Sequence, residues 1–271
     1  MKEIYFLLVI WLGVGMCRVA GQAGPVGARS MALGGIRSAI EDTWSAANNP
    51  AGLADQEKYT VAINLDQRYL MAVTGYYGLS GTMPAGKGCL GITTVFSGHS
   101  SFYRQRAIIG YGMSFGERLL TGISLEYDYQ SCGQEYPALH QVSYALGTFV
   151  ILSPKVSLTF STFNPFRFYY KNKEYSTLSS IFDLGFIYHY AAVLSIYTEI
   201  EKDLDYPMVF KTGIECQARN NLFLQGGISL FPAGYSFGAA YRSKKFFFEI
   251  SSSYHQYLGF SPAISLQYEI K

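Results

Sequence analysis

The sequence has few charged side chains, and those it has are not grouped. Asp, Glu, Lys and Arg make up 15% of the 271 residues, whereas typical soluble proteins carry roughly 25%. The formal net charge is only +2, and there is no basic run and no glycine–arginine tract. We therefore predict neither a nucleic-acid partner nor a strongly acidic one.

Metal-binding and catalytic patterns are also missing. Three of the four cysteines (Cys89, Cys132 and Cys216) follow the predicted leader, and this odd set without CxxC spacing argues against a disulfide framework and a structural zinc site. The histidines form no HExxH or HxH arrangement; they are His99, His140, His189 and His255. A lipid hydrolase using His255 and Ser251 to Ser253 would be the one enzymatic candidate, but no GxSxG motif accompanies these residues. We predict no enzymatic activity and no cofactor.

The first residues have the layout of a secretory signal peptide. Lys2 precedes an apolar run from Ile4 to Met16, and small residues follow, so cleavage is expected near Gly21 or Ala23. Residues 1–21 are assigned to this leader. Met16 is a poor match to the small residue that precedes a lipidated cysteine, so Cys17 is not predicted to carry lipid. No stretch of 18 apolar residues occurs after the leader, and a helical span is not expected there.

What the sequence has in abundance is a two-residue alternation of apolar and polar side chains from about 58 to 271. In the last segment Ile264, Leu266 and Tyr268 fall on one face, and Ser265 and Gln267 fall on the other. Successive side chains of a strand point to opposite sides, so each segment predicts a strand with one apolar face. The predicted strands are 58–65, 68–78, 87–97, 102–113, 118–130, 139–152, 155–163, 178–190, 192–201, 206–217, 221–231, 234–242, 245–255 and 262–271.

The links between these strands alternate in length. Tight links follow even-numbered strands, at SFGE, SPK, ARNN and RSKK, whereas longer links follow odd-numbered ones, at GQEYPA, NPFRFYYKNKEYST and QYLGFSP. Bacterial outer-membrane barrels have short periplasmic turns, longer outer loops and an even strand number. The sequence predicts a transmembrane antiparallel β-barrel of about 14 strands over residues 57–271, whose largest outer loop is 164–177.

A soluble two-sheet sandwich or a lipocalin-like barrel would show the same alternation with its apolar faces turned inward. The low charge and the uniform apolar face favour the membrane, because so much exposed apolar surface would aggregate in water. We predict the outer membrane of a Gram-negative bacterium, with outer-membrane lipid around the barrel.

Charged residues within the strands fall on the polar face. A charge on the lipid side costs about 2–4 kcal/mol near the membrane midplane, so these residues are expected to face the lumen. They form either a polar conduit and a binding surface for a plug, or a cross-strand network of salt bridges that fills the barrel. The residues are Arg104, Arg106, Glu126, Asp128, Glu199, Glu201, Lys211, Glu215, Arg242, Glu249 and Glu269.

Residues 22–56 interrupt the alternation. This segment contains the pair Gly34–Gly35, a helix candidate from Asp42 to Ala47 that Asp42 would cap, and the turn Asn48–Asn49–Pro50. A compact, mildly polar segment ahead of the first strand suits a plug in the lumen. A periplasmic tail or a packing turn is the alternative.

Two stretches of this segment, GARSMALGG and DTWSAANNPAGLA, resemble the amino-terminal pattern of FadL/OmpP1-like outer-membrane proteins, a group that includes the PorV/PorQ-type proteins of the type IX secretion system. The resemblance implies a fourteen-stranded barrel with an amino-terminal hatch in its lumen. It implies that Asn49, Pro50 and Ala51 are the hatch motif and that Gly27 to Gly35, including Gly34 and Gly35, is its leading segment.

Two functions remain open at this point. In the first, the barrel is a conduit that passes small hydrophobic molecules when the hatch is displaced. In the second, it is a scaffold without transport activity that holds secretion-system proteins at its outer loops. Fatty-acid transporters of the group are longer, with large outer loops, so the short loops here favour the scaffold. The aromatic and basic loop from Phe166 to Lys173 would serve either function.

Overall fold

The computed structural model describes residues 24–99, 102–133, 137–166, 178–191, 193–231 and 233–270. The predicted leader and most of the predicted largest outer loop lie outside these ranges. Within them, no helix has the length and apolar character needed to cross a membrane.

Fourteen antiparallel strands form one closed barrel in which each strand pairs with its neighbours in sequence and β14 pairs with β1. The predicted fold class is therefore confirmed. The strands are β1 (Thr60–Gln67), β2 (Gly75–Ala85), β3 (Gly88–His99), β4 (Phe102–Phe115), β5 (Leu119–Ser131), β6 (Leu139–Ser153), β7 (Val156–Phe163), β8 (Ile181–Ala191), β9 (Leu194–Asp203), β10 (Val209–Arg219), β11 (Leu222–Leu230), β12 (Gly234–Arg242), β13 (Phe246–His255) and β14 (Gly259–Glu269).

The apolar faces of the strands point out of the barrel. Along β1, Val61, Ile63 and Leu65 are 42–48% exposed, whereas Asn64 and Asp66, each of which follows one of them, are buried. The same alternation on the other strands surrounds the barrel with apolar side chains. This orientation excludes the soluble sandwich, because its apolar faces would lie inside.

The barrel wall is continuous where β1 meets β14, and its irregularities lie near the short turns. Pairing there runs from Thr60 opposite Glu269 to Asp66 opposite Ala263. Register shifts occur in β6–β7, β8–β9 and β10–β11, in each case beside the tight link that joins the two strands. Following the rule for bacterial barrels, we call the end with these tight links periplasmic and the other end outer.

The second strand was predicted at 68–78 but lies at Gly75–Ala85, so its predicted start was wrong. Residues 68–74 instead form two short 3-10 turns in which Tyr69 and Leu70 have φ angles of 56° and 54°. The sequence RYLMAV contains no Gly, Pro or Asn to indicate this left-handed turn, and its apolar residues suggest a strand.

Two smaller predictions also differ from the structure. Residues 42–47 form turns rather than a helix, and Asp42 Oδ1 accepts a hydrogen bond from Trp44 N at 2.8 Å within these turns. The one α-helix of the described N-terminal residues is α1 (Ala28–Ala32). The outer link at QYLGFSP is also shorter than predicted, because β14 already begins at Gly259.

Candidate functional site

The N-terminal segment, residues 24–57, packs against the inner face of the barrel. Ala28 N donates to Ser265 Oγ of β14 at 2.9 Å, and Gly34 N donates to Ser236 Oγ of β12 at 2.8 Å. On another part of the wall, Ser80 Oγ of β2 donates to Thr43 O at 2.7 Å. The segment therefore bonds to strands that lie around the lumen rather than to one side only.

Glycines of the barrel wall allow this close approach. At each of them an added Cβ atom would lie within about 3.2 Å of an atom of the N-terminal segment. Any larger residue at these positions would therefore require the segment or the wall to move. They occur on nine strands: Gly78, Gly91, Gly110, Gly112, Gly122, Gly147, Gly185, Gly213, Gly227 and Gly238. This inner ring of glycines fits the segment tightly along most of the circumference.

Asn49, Pro50 and Ala51 form the turn that holds the segment's own fold. Asn49 precedes a 3-10 helix at Pro50–Leu53, and its Oδ1 accepts from Ala51 N at 3.1 Å. Its Nδ2 donates to Ser38 O at 2.6 Å, which ties two parts of the segment together. All three residues of the motif are buried.

Gly34 and Gly35 form a left-handed turn after α1. Their φ angles are 81° and 78°, a conformation that glycine adopts without steric cost. Gly34 lies against the backbone of Ile228, and Gly35 O accepts from Lys211 Nζ at 2.9 Å. Both glycines thus bring the backbone of the segment to the wall.

A buried ionic cluster joins the segment to β8, β9 and β10. Arg37 Nε donates to Asp183 Oδ2 at 2.9 Å, and Arg37 lies 3.6 Å from Glu201. Lys211 Nζ bonds to Glu199 and Glu201 at 2.8 and 2.7 Å. The Glu199 carboxylate also accepts from the backbone N of Arg37. The three carboxylates, of Asp183, Glu199 and Glu201, lie close enough together to hold a metal ion, but each of them already pairs with Arg37 or Lys211.

A second ion pair joins α1 to β10. Arg29 contacts Glu215 through Nε at 2.9 Å and Nη2 at 2.7 Å. Tyr197 OH and Gln225 Nε2 donate to the same carboxylate at 3.4 and 2.7 Å. Arg29 and Arg37 are the two cations of the segment that pair with wall carboxylates, and neither was named as a site residue from the sequence. The sequence did contain a signal for these contacts. Arg29 and Arg37 are the only cations of residues 24–57, and the strands were predicted to carry carboxylates that face the lumen.

The inward charges of β4 and β5 pair with each other across the two strands. Arg104 Nε donates to Asp128 Oδ2 at 2.8 Å, and Arg106 forms a two-pronged pair with Glu126 at 2.6 Å. Arg106 also donates to Tyr76 OH at 2.9 Å. The two interpretations of the inward charges therefore both apply, since β4–β5 carries cross-strand pairs while β8–β10 binds the segment.

Three further predicted lumen charges have different surroundings. Glu249 is fully buried and accepts from Gln267 at 3.4 Å, while its second oxygen has no hydrogen-bond partner among the described residues. Glu269 pairs with Lys58 at 2.5 Å at the periplasmic end. Arg242 is exposed at the same end and lies over the rings of Phe223 and Phe247.

Two carboxyl groups of the segment titrate unusually. Burial, together with the nearby charge of Asp55, raises the pKa of Glu41 from 4.5 to about 7. Burial also raises the pKa of Asp42 from 3.8 to about 6, and Arg29 opposes this shift only in part.

Two cavities lie beside the segment. The outer cavity, of about 270 Å³, is lined among others by Pro25, Met31, Gly34, Tyr69 and Tyr254. The periplasmic cavity, of about 380 Å³, includes Arg29, Glu215, Phe223, Arg242 and Phe247 in its lining.

The sequence matches no protein-family model and no curated protein. Several solved structures are similar in fold. The TodX deltaS2S3 mutant monoaromatic hydrocarbon channel has a TM-score of 0.71 and 13% identity, covering 91% of this chain and 99% of that one. The Ralstonia pickettii toluene transporter TbuX has a TM-score of 0.69 and 11% identity, covering 92% and 99%. A Pseudomonas aeruginosa FadL homologue has a TM-score of 0.67 and 10% identity, covering 92% and 100%.

At these identities the likeness concerns the fold. It agrees with the outward apolar faces and with the prediction of a Gram-negative outer-membrane barrel, which is confirmed. The chain therefore has the fold of the FadL-type outer-membrane barrels.

Proposed function

We propose that this protein is a FadL-like conduit for small hydrophobic molecules in the outer membrane, with residues 22–56 as its hatch. The observation that carries the proposal is the N-terminal segment packed inside a fourteen-stranded barrel of this fold. The structural neighbours named as a toluene transporter and a monoaromatic hydrocarbon channel support the class of ligand.

The outer cavity is large enough for such a ligand. A dry cavity of about 150 Å³ holds benzene, and the outer cavity has about 270 Å³. Pro25 and Met31 of the segment and the aromatic Tyr69 contribute apolar surface to it. A molecule bound here would contact the hatch directly, so we propose this cavity as the entry site.

Passage beyond this cavity requires the hatch to move. The glycine ring and the cluster around Arg37 hold the segment against the wall, and the residues that face it are mostly buried. The tight fit makes the segment the barrier. The described inner wall offers polar and charged groups once the segment is displaced.

Uptake into vesicles tests this function. Purified full-length protein is placed in vesicles with lipopolysaccharide in the outer leaflet, and entry of a fluorescent fatty acid and of radiolabelled toluene is followed. We expect uptake above that of empty vesicles, and faster uptake with Asn49→Ala, which removes two hydrogen bonds that fold the hatch. Equal uptake by protein-containing and empty vesicles would reject the conduit.

A scaffold role is the second candidate, and the short outer links favour it. The links after β3, β11 and β13 leave only 100–101, 231–233 and 256–258 between strands. A PorV/PorQ-like protein of a secretion system would bind its partners at the rim. Deletion of residues 166–173 tests this role: partners recovered from outer membranes with the complete chain and lost with the deletion would support it.

A further inference from the structure

The periplasmic cavity has features that a conduit for uncharged molecules does not require. Its lining consists of Arg29, Glu215, Gln217, Asn220, Phe223, Arg242 and Phe247. We call it the mouth cavity. It combines two guanidinium groups with two phenyl rings at the end of the lumen.

Arg242 is held by rings rather than by a carboxylate. Its guanidinium carbon lies 4.6 Å from the centroid of the Phe247 ring and 6.0 Å from that of Phe223. The two rings meet edge to face at 6.1 Å. Among the described residues, the Arg242 side chain forms no hydrogen bond and no ion pair. Its planar guanidinium therefore has a defined position and a positive charge, and its N–H donors have no acceptor among the described residues.

The one carboxylate in the lining is already satisfied. Glu215 accepts four hydrogen bonds, two from Arg29, one from Tyr197 and one from Gln225. Its negative charge is balanced by Arg29, so it does little to repel an anion from Arg242. Arg29 Nη1 makes no hydrogen bond to any described residue and adds a second donor at the cavity. Asp42 and Glu249 also act electrostatically on Arg29, but neither lines the cavity.

The two turns beside the cavity attract anions. A backbone hydrogen bond of 2.8 Å from Arg242 N to Asn221 O joins the β10–β11 turn to the end of β12. Residues 218–222 and 242–246 contribute Arg219, Arg242, Lys244 and Lys245 and contain no acidic residue. The acids nearest to these turns are Glu215, which is paired with Arg29, Glu249, which is buried and faces inward, and Glu269, which pairs with Lys58. Such a local excess of positive charge raises the concentration of anions at the mouth.

We propose that the mouth cavity is a binding site for a small carboxylate that carries a flat apolar ring, such as an aromatic acid. The carboxylate pairs with the Arg242 guanidinium and the ring lies against Phe223 or Phe247. A guanidinium matches a carboxylate in a two-pronged geometry, and the phenyl faces suit a planar apolar body. The cavity of about 380 Å³ has room for one such molecule. This site is additional to the proposed conduit and does not depend on it.

Binding to the detergent-solubilised full chain tests the site. Titration calorimetry with benzoate as the probe is compared with acetate and inorganic phosphate, which have the charge alone. We expect saturable binding of benzoate that is at least ~10-fold tighter than that of the other two, because charge-assisted hydrogen bonds and ring contacts add. Arg242→Gln is expected to weaken benzoate binding at least ~10-fold, and Arg242→Lys to restore it only in part.

The matched control is Lys244→Gln, which removes a charge from the adjacent turn but not from the cavity. It should change the affinity for benzoate no more than about twofold, mainly at low salt. Since Arg242 is exposed and unpaired, Arg242→Gln should fold, which heat-modifiable migration in gels verifies. Absence of saturable benzoate binding, equal losses in the two variants, or phosphate binding as tightly as benzoate would each overturn the proposal. None of these outcomes depends on whether the vesicles take up toluene.

Discussion

At the scale of single residues, the fit between the N-terminal segment and the wall depends on side chains that are absent. Gly227 of β11 faces the segment, and a Cβ atom there would overlap the backbone of Leu33 and Gly34. Its neighbour Gly226 points the other way, and the nearest atom to a Cβ there is 3.9 Å away. The two adjacent glycines therefore lie on opposite faces of β11, because successive residues of a strand point to opposite sides.

Gly227→Ala should loosen the segment, whereas Gly226→Ala should not. A backbone atom cannot move away from an added methyl group as the end of a flexible side chain can. We therefore expect Gly227→Ala to weaken the docking of the segment to the wall by about 1–3 kcal/mol. Trp44 provides the readout, because the other of the two tryptophans, Trp11, lies in the predicted leader and Trp44 is fully buried. Acrylamide should quench Trp44 fluorescence more strongly in Gly227→Ala only. Equal quenching in both variants would show that the close approach has no energetic role.

The raised pKa of Glu41 predicts that the segment is held more firmly in acid. The folded protein keeps its proton up to about pH 7, whereas the undocked carboxyl loses it near 4.5. Docking therefore takes up a proton between these values, and its free energy is most favourable below pH 4.5 and weakens as the pH rises through 7. The expected difference is about 1–3 kcal/mol. Asp42, with a pKa of about 6, acts in the same direction.

Quenching of Trp44 at pH 5 and pH 8 measures this effect. The wild type should be more accessible to acrylamide at pH 8, and Glu41→Gln, which mimics the protonated form, should reduce the difference. Glu117→Gln, in the β4–β5 turn away from the segment, is the control and should leave it unchanged. A pH response of the same size in Glu41→Gln would assign it to another group.

At the scale of elements, the segment and β8–β10 are complementary in charge. Arg37 brings its guanidinium to Asp183 and Glu201, while Lys211 supplies the second cation. Sequence reasoning predicted that Glu201 and Lys211 face the lumen, because alternation fixes the face of each strand residue. It did not predict their partners. The irregular backbone of residues 24–57 has no sequence period from which its contacts can be inferred. Which strands it contacts is decided only when the barrel is closed around it.

Arg37→Met should release the segment from this part of the wall. It leaves buried carboxylates without their cation, a change that costs about 3–5 kcal/mol. We expect faster hydrogen exchange in residues 30–45, and partial recovery when Asp183→Asn is added, since that removes one of the uncompensated charges. Lys245→Met, on an exposed turn, is the matched control. Unchanged exchange in Arg37→Met, or no recovery in the double variant, would contradict the role given to the cluster.

At the scale of the whole molecule, the barrel could be predicted from the sequence, but the packing of the N-terminal segment inside its lumen could not. A period of two and the alternation of link lengths predicted the strand number, and the low charge and the uniform apolar face predicted the outward orientation. Only β2 was misplaced by more than three residues, because Tyr69 and Leu70 form a left-handed turn without glycine. The packing of the segment against ten wall glycines could be inferred only in part, from glycines inside strands such as Gly226–Gly227. Which of these approach the segment depends on the three-dimensional path of 24–57.

A reversible tether between the segment and the wall tests whether the proposed hatch must move. Ser38 Oγ lies 3.1 Å from Thr159 Oγ1 of β7, so cysteines at these two positions should form a disulfide. In a chain with Cys89, Cys132 and Cys216 replaced by serine, we expect toluene uptake by vesicles to fall to the level of empty ones upon oxidation. A thiol reductant should restore it, and Ser38→Cys alone should respond to neither treatment. If the tethered barrel conducts as well as the reduced one, ligand does not pass by displacement of this part of the segment, because a covalent bond to β7 leaves its centre fixed against the wall.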